Sequence, residues 1–222
     1  MIRRLRDYYN PWFVIPFLVW VLTAALLLLS FDRQVLFATV NTHHTPWLNE
    51  VMRRATGFGE APWIFIVLCA IMVFRACRSW WYVVGALVCN VVPALLVQWL
   101  KSLFNAPRPL LYFNAAPWIH IEAGWEHLYH RSFPSGHSAG AFSMCCFLAL
   151  ILPKRWAWMG LPLFFVALLV CYTRLYLGAH FFADVYAGSM VGTAATMLCF
   201  ALLRRYSPWP FTIGETSKNK PV

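Results

Sequence analysis

Six long apolar runs divide this chain and decide its fold class. They cover about residues 12–31, 61–75, 80–100, 137–153, 157–173 and 181–203. A run of about 20 apolar residues is long enough to cross the hydrocarbon core of a bilayer. The runs at 61–75 and 157–173 are shorter, so tilt or local thinning must help them span. In lipid each crossing segment must satisfy its own backbone hydrogen bonds, and six helices are the allowed solution. The expected architecture is therefore all-α, a six-transmembrane-helix bundle forming one integral membrane domain over residues 1–222.

Composition agrees: 61% of residues are hydrophobic and only 12% charged. The first run follows Arg3, Arg4 and Arg6 and is too long for the apolar core of a cleaved signal peptide, so it reads as a retained first span. The seven cysteines lie in or beside apolar runs. Such an odd, lipid-facing set argues against a disulfide framework and for cysteine as a small hydrophobe. A net charge of +10 could point to nucleic acid. Most cations, however, sit in short connections between runs, with no basic stripe alternating with exposed aromatics. A nucleic-acid partner is excluded, membrane lipids are expected, and oligomeric state is left open.

Lys and Arg also orient the chain. One side receives the N-terminus, the 76–79 and 154–156 turns and the tail, and carries eleven of them. The other side carries Arg33, Arg53, Arg54 and Arg131, apart from Lys101, Arg108 and Arg174, which belong to the motifs below. Positive charge favours the cytoplasmic side, which places both termini there. The absence of any Asn-x-Ser/Thr sequon is compatible with a bacterial inner membrane.

Three short motifs stand out against this apolar background: Lys101-x6-Arg108-Pro109, Pro134-Ser135-Gly136-His137 and Arg174-x5-His180-x3-Asp184. Lys101 ends the third run, His137 opens the fourth, Arg174 ends the fifth, and His180 with Asp184 opens the sixth. In an alternating bundle those four ends share one face, whichever way the protein inserts. Positive-inside orientation makes that face extracytoplasmic. Ionisable groups at such positions are a functional site by default.

Each motif has a chemistry and a plainer alternative. Pro107 and Pro109 hold Arg108 out of helix, where its planar fork suits phosphate oxygens and Lys101 adds a point charge. The plainer alternative is two cations at headgroup depth, with Lys101 merely snorkelling. Ser135 is a favoured N-cap, Gly136 lets a ligand approach the backbone, and the free N–H groups of a helix start bind anions. His137 is then poised to donate a proton; alternatively the tetrapeptide is an ordinary helix start. His180 and Asp184, four apart, share a helix face, and a carboxylate there can fix and activate the imidazole. A buried polar network between helices is the other reading. Arg174 adds a third cation, with Gly178 loosening the turn that follows.

Taken together, in order and spacing, the motifs resemble those of the type-2 phosphatidic acid phosphatase superfamily: K-x6-R-P, P-S-G-H and S-R-x5-H-x3-D. The resemblance covers about 101–184 in motifs and the whole chain in six-span layout. It implies that His180 attacks phosphorus and becomes phosphorylated, assisted by Asp184, while His137 protonates the leaving oxygen. It further implies that Lys101, Arg108, Arg174, Ser135 and Gly136 hold the phosphate, with no metal and no other cofactor. Thr173 stands where the family usually has serine, which keeps the hydroxyl and bears on substrate fit more than on activity.

The expected function is hydrolysis of a lipid phosphate or pyrophosphate at the outer leaflet of a bacterial inner membrane, through a phosphohistidine. Phosphotransfer to another lipid could use the same intermediate. A non-catalytic lipid carrier or transporter is the alternative of a different class, and it would not need the catalytic positions filled. Undecaprenyl pyrophosphate, phosphatidylglycerol phosphate, phosphatidic acid and lipid A all stay open as substrates. The loop before the second motif holds His120, Glu122, Glu126, His127 and His130 beside Trp118 and Trp125. These could recruit zinc, but their spacing matches no metal signature, and an interfacial lid fits better. The stretch 47–54 reads as an interfacial amphipathic helix or as a solvated connector.

Overall fold

A computed structural model of the chain describes residues 9–73, 80–120 and 129–206. Its elements are α1 (Pro11–Ser30), α2 (Arg33–Asn41), α3 (Pro46–Ala55), a single 3₁₀ turn (Thr56–Gly59), α4 (Ala61–Ile71), α5 (Trp80–Phe104) and the short α6 (Pro109–Tyr112). There follow α7 (Gly136–Ile151), a second 3₁₀ turn (Lys154–Met159), α8 (Gly160–Tyr176) and α9 (Phe182–Tyr206). No strand occurs among the described residues.

Local sequence explains the starts. Asn10 caps α1 by accepting from Trp12 N at 3.0 Å, with Pro11 at the first helical position. Thr45 and Pro46 do the same for α3, where Thr45 accepts from Leu48 N at 3.3 Å. Proline at that position loses nothing, because its missing N–H would have had no helical partner. The stretch 47–54 is helical, and Glu50 accepts from both Arg53 and Arg54 on the exposed face.

The six apolar runs coincide with α1, α4, α5, α7, α8 and α9. Four segments are long and apolar enough to cross a membrane: Pro11–Ser30, Trp80–Tyr112, Lys154–Tyr176 and Phe182–Arg205. Pro46–Gly59 and Ala61–Ile71, bent by 66°, supply a fifth crossing if they act as one span. The described helices therefore offer four or five crossings where the sequence reading expects six. The run at 157–173 is longer as a helix than expected, because the Lys154–Met159 turn leads directly into α8.

The helix that falls short is α7, 16 residues and about 24 Å long at 1.5 Å per residue. It is also the centre of the bundle. Thirteen of its residues are buried, and it packs chiefly against α9 and α8, then α5. A helix walled in by protein need not match the thickness of the lipid. Phe142, Cys146, Phe147 and Ile151 on α7 join Phe13 and Phe17 of α1, Cys89 of α5, Val170 of α8 and Phe200 of α9 in one core. The outward face of α1, with Leu18, Leu22, Leu26 and Leu29, is left exposed. At that helix's start, Asn10 Nδ2 donates to Ala149 O and Ala157 O, both at 3.0 Å, tying α1 to the end of α7 opposite the motifs.

Candidate active site

Chain direction alternates through α5, α7, α8 and α9, so the end of α5, the start of α7, the end of α8 and the start of α9 meet. His180 lies in the turn between α8 and α9, almost fully buried. Gly178 makes that turn possible: its φ of 69° is left-handed backbone that a Cβ would strain. The amides of Ala179 and His180 both donate back to Arg174 O, at 3.0 and 3.2 Å.

Both ring nitrogens of His180 have defined neighbours. Nδ1 lies 3.4 Å from Asp184 Oδ2 and 3.4 Å from Ser132 Oγ. Asp184, in the first turn of α9, is fixed in turn, since its Oδ2 accepts from Ser132 Oγ at 2.5 Å and from Phe181 N at 2.9 Å. On the other side of the ring, Arg108 Nη1 stands 3.4 Å from Nε2. With the carboxylate at Nδ1, the ring proton belongs there and Nε2 keeps its lone pair.

Arg108 has extended backbone just ahead of α6, as its flanking prolines require. Nε donates to His130 O at 2.8 Å and Nη1 to Ala179 O at 2.9 Å, which aims the guanidinium at the histidine. Arg174, in the last turn of α8 and 2% exposed, donates from Nη1 to Thr56 Oγ1 at 2.8 Å. Lys101, in the last turn of α5, is buried and reaches the first residue of α7: a Cβ on Gly136 would meet Lys101 Nζ at 3.9 Å. Burial, then Arg108, Arg174 and Lys101, hold the pKa of His180 well below its usual 6.5. Three buried cations beside this imidazole make the pocket strongly electropositive, which an anion would relieve.

The Pro134–His137 tetrapeptide begins α7. Ser135 is fully buried and caps the helix, its Oγ accepting from Ser138 N at 3.4 Å and from Ser138 Oγ at 3.0 Å. Its own amide donates to Asp184 O at 2.9 Å, which locks the start of α7 to the start of α9. His137 is partly open, and its Nε2 lies 3.6 Å from Glu60 Oε1. Every residue singled out in the three motifs thus stands at one end of the bundle.

Three participants escaped the sequence reading: Ser132, Thr56 and Glu60. Ser132 sits two residues before the second motif, a position that could have drawn notice. Thr56 and Glu60 lie in a connection with no periodic signal. Thr173 turns its hydroxyl to Val170 O, 2.7 Å away on its own helix. Glu122, Glu126, His127 and Trp125 lie outside the described residues, and among those described no three His, Cys, Asp or Glu side chains gather to hold a metal. Trp118 packs on Phe37 and Phe113, and His120 stacks on His44 at 3.7 Å, so this part of the loop is docked on α2. The six described cysteines are all free.

Comparison with known proteins agrees with this layout. Residues 78–207 match the model of the PAP2 superfamily. The lipid A 4'-phosphatase of Bacteroides thetaiotaomicron is 44% identical over 72% of this chain and 72% of its own length. Phosphatidylglycerophosphatase B of Bacillus subtilis is 30% identical over 72% of this chain and 76% of its own. The crystal structure of Aquifex aeolicus LpxE superposes with a TM-score of 0.64 at 26% identity, covering 80% of this chain and 98% of that one. With its motifs, its helical bundle and the match over more than half its length, the chain belongs to the PAP2 superfamily.

Proposed function

We propose that this protein is a membrane lipid phosphatase that removes a phosphate or pyrophosphate headgroup through a phosphohistidine on His180. The observation that carries the reading is the placement of His180, with Asp184 against Nδ1, Arg108 against Nε2 and two further buried cations around it. Relatives named as phosphatases of phosphatidylglycerophosphate and of lipid A support a lipid substrate.

In this mechanism Lys101, Arg108 and Arg174 draw the phosphate oxygens in, and the first amides of α7 at Gly136 and His137 add donors at a helix N-terminus. Nε2 of His180 attacks phosphorus in line with the ester oxygen. As the P–O bond breaks, His137 gives that oxygen its proton and the lipid alcohol departs. The imidazolium formed at His180 keeps its Nδ1 proton against Asp184, which stabilises the positive charge. Water then attacks the phosphohistidine, His137 takes back a proton, and inorganic phosphate leaves with His180 regenerated. The three cations already neutralise the phosphate, so the chemistry runs without a metal.

The wider layout follows the same proposal. A sixth crossing by α7 within the bundle, both termini cytoplasmic and the site facing the outer leaflet of a bacterial inner membrane agree with the Lys and Arg distribution. A site at helix ends suits a substrate whose headgroup is in water while its tail stays in lipid. Phosphate release by purified protein from phosphatidylglycerol phosphate, lipid A, phosphatidic acid and undecaprenyl pyrophosphate tests the reading. Release from at least one, lost in His180→Gln, is expected; release from none would overturn it.

A further inference from the structure

The turn Thr56–Gly59 and the residue that follows it touch the site from a direction the three motifs do not cover. Gly59 is pressed onto the first turn of α7, where a Cβ would lie 2.7 Å from His137 O and 3.0 Å from His137 Cα. Gly140, one turn on, lies equally close from the α7 side: a Cβ there would meet Gly59 O at 3.0 Å. The turn closes through Glu60 N donating to Gly57 O at 2.8 Å, and Glu60 O accepts from Ile64 N at 3.0 Å to begin α4. Glu60 is therefore seated against His137 by its backbone, and its Oε1 comes within 3.6 Å of His137 Nε2. Both side chains are partly open, 43% for Glu60 and 28% for His137.

We infer that Glu60 is a positioning residue for the proton donor of the reaction proposed above, on which this inference rests. Its carboxylate faces Nε2–H of His137, which leaves Nδ1 to exchange the proton with the substrate. In the first step Nδ1–H passes its proton to the leaving oxygen, and the ring becomes neutral with Nε2–H still turned to Glu60. In the second step Nδ1 accepts the proton of the attacking water, and the imidazolium reforms beside the carboxylate. The proton balance closes at one atom, and Glu60 itself takes no part in the transfer. A carboxylate set against a working imidazole fixes its tautomer and ring orientation.

The test compares Glu60→Gln, His137→Ala and the double variant, each purified as the full chain in detergent, on an alkyl phosphate lipid and on an aryl phosphate. The aryl oxygen leaves without a proton, so in kcat/KM, which ends at formation of the phosphohistidine, the need for the donor shows only on the alkyl substrate. Glu60→Gln should lower kcat/KM on the alkyl substrate about 10–100-fold, the range for losing such a supporting group, and spare the aryl substrate to a much larger degree. It should also move the alkaline limb of the pH profile to lower pH, because the imidazolium loses its carboxylate and is left facing Arg174, His180, Lys101 and Arg108 alone. In the His137→Ala background the Glu60 change should do nothing more. Equal losses on both substrates, or a further loss in the double variant, overturn the inference. If His137→Ala separates the two substrates and Glu60→Gln does not, this inference alone fails. If His137→Ala itself does not separate them, the parent reading fails and takes this one with it.

Discussion

Gly188 presses directly on Ser135: a Cβ added to Gly188 would stand 2.5 Å from the Ser135 carbonyl oxygen. Gly188 follows Asp184 by one helical turn, and Gly192 follows by another, where a Cβ would meet Ala139 O at 2.4 Å. One face of α9 thus carries the carboxylate that supports His180 and the two glycines that let α7 dock. Small residues at such a helix interface allow backbones to approach closely in a membrane. Because the contact is backbone, no side-chain rotation can relieve it. Gly188→Ala should cost about 1–3 kcal/mol of stability, as overpacking does, and should displace Ser135 and slow turnover. Thermal unfolding in detergent, with phosphate release measured alongside, checks this; an unchanged midpoint with full activity would contradict it.

Thr56 holds Arg174 through a buried hydrogen bond of 2.8 Å. Thr56→Val keeps the shape and removes the acceptor, and bonds to charged groups contribute about 1.5–3 kcal/mol. We expect a weaker hold on the phosphate, seen as a raised KM and weaker inhibition by vanadate, with recovery in Thr56→Ser. If Thr56→Val and the unaltered protein behave alike, the position of Arg174 does not depend on this bond.

Ser132 and Asp184 should differ in degree. Asp184→Asn loses the charge that stabilises the imidazolium and is expected to slow turnover by about 10³–10⁴-fold, as in hydrolytic triads. Ser132→Ala keeps the carboxylate and removes its 2.5 Å hydroxyl partner, which also lies 3.4 Å from His180 Nδ1, so a loss of about 10–100-fold is expected. Steady-state rates on one substrate decide it, and a Ser132→Ala loss as large as that of Asp184→Asn would contradict this division of roles.

The pH behaviour of His180 follows from its surroundings. Burial and the three cations hold its pKa well below 6.5. The substrate-free protein should therefore keep this ring neutral at about pH 5.5, where a free histidine is mostly charged. Nitrogen-15 spectra of imidazole-labelled protein, with the signal assigned by its loss in His180→Gln, should show the neutral pattern there. A bound phosphate analogue should raise the pKa by neutralising the cations. An imidazolium pattern in the empty site at that pH would contradict the electropositive pocket.

Much of this was legible in the chain itself, for a physical reason. Lys101, Arg108, Arg174, His137, His180 and Asp184 are conspicuous because charge is costly beside lipid, and alternation of six runs puts their ends on one face. Other features give no such signal. Ser132, Thr56 and Glu60 are polar residues in polar connections, and only the folded arrangement shows whose partners they become. The role of α7 was equally hidden, since an enclosed apolar helix and a lipid-facing one have similar composition. Gly188 and Gly192 stand four apart in the sequence, but their meaning depends on the helix they face.

The most direct measurement is to look for the covalent intermediate. Protein mixed with a phosphorus-32-labelled lipid phosphate and quenched in base should carry label that survives base and is lost in acid, as phosphoramidates are. The label should form in excess chelator, because Lys101, Arg108, Arg174 and the first amides of α7 supply the charge. It should be absent from His180→Gln, and it should persist longer in His137→Ala given an aryl phosphate, since the water step then lacks its base. Label that forms equally in His180→Gln, or that requires a divalent ion, would contradict the account.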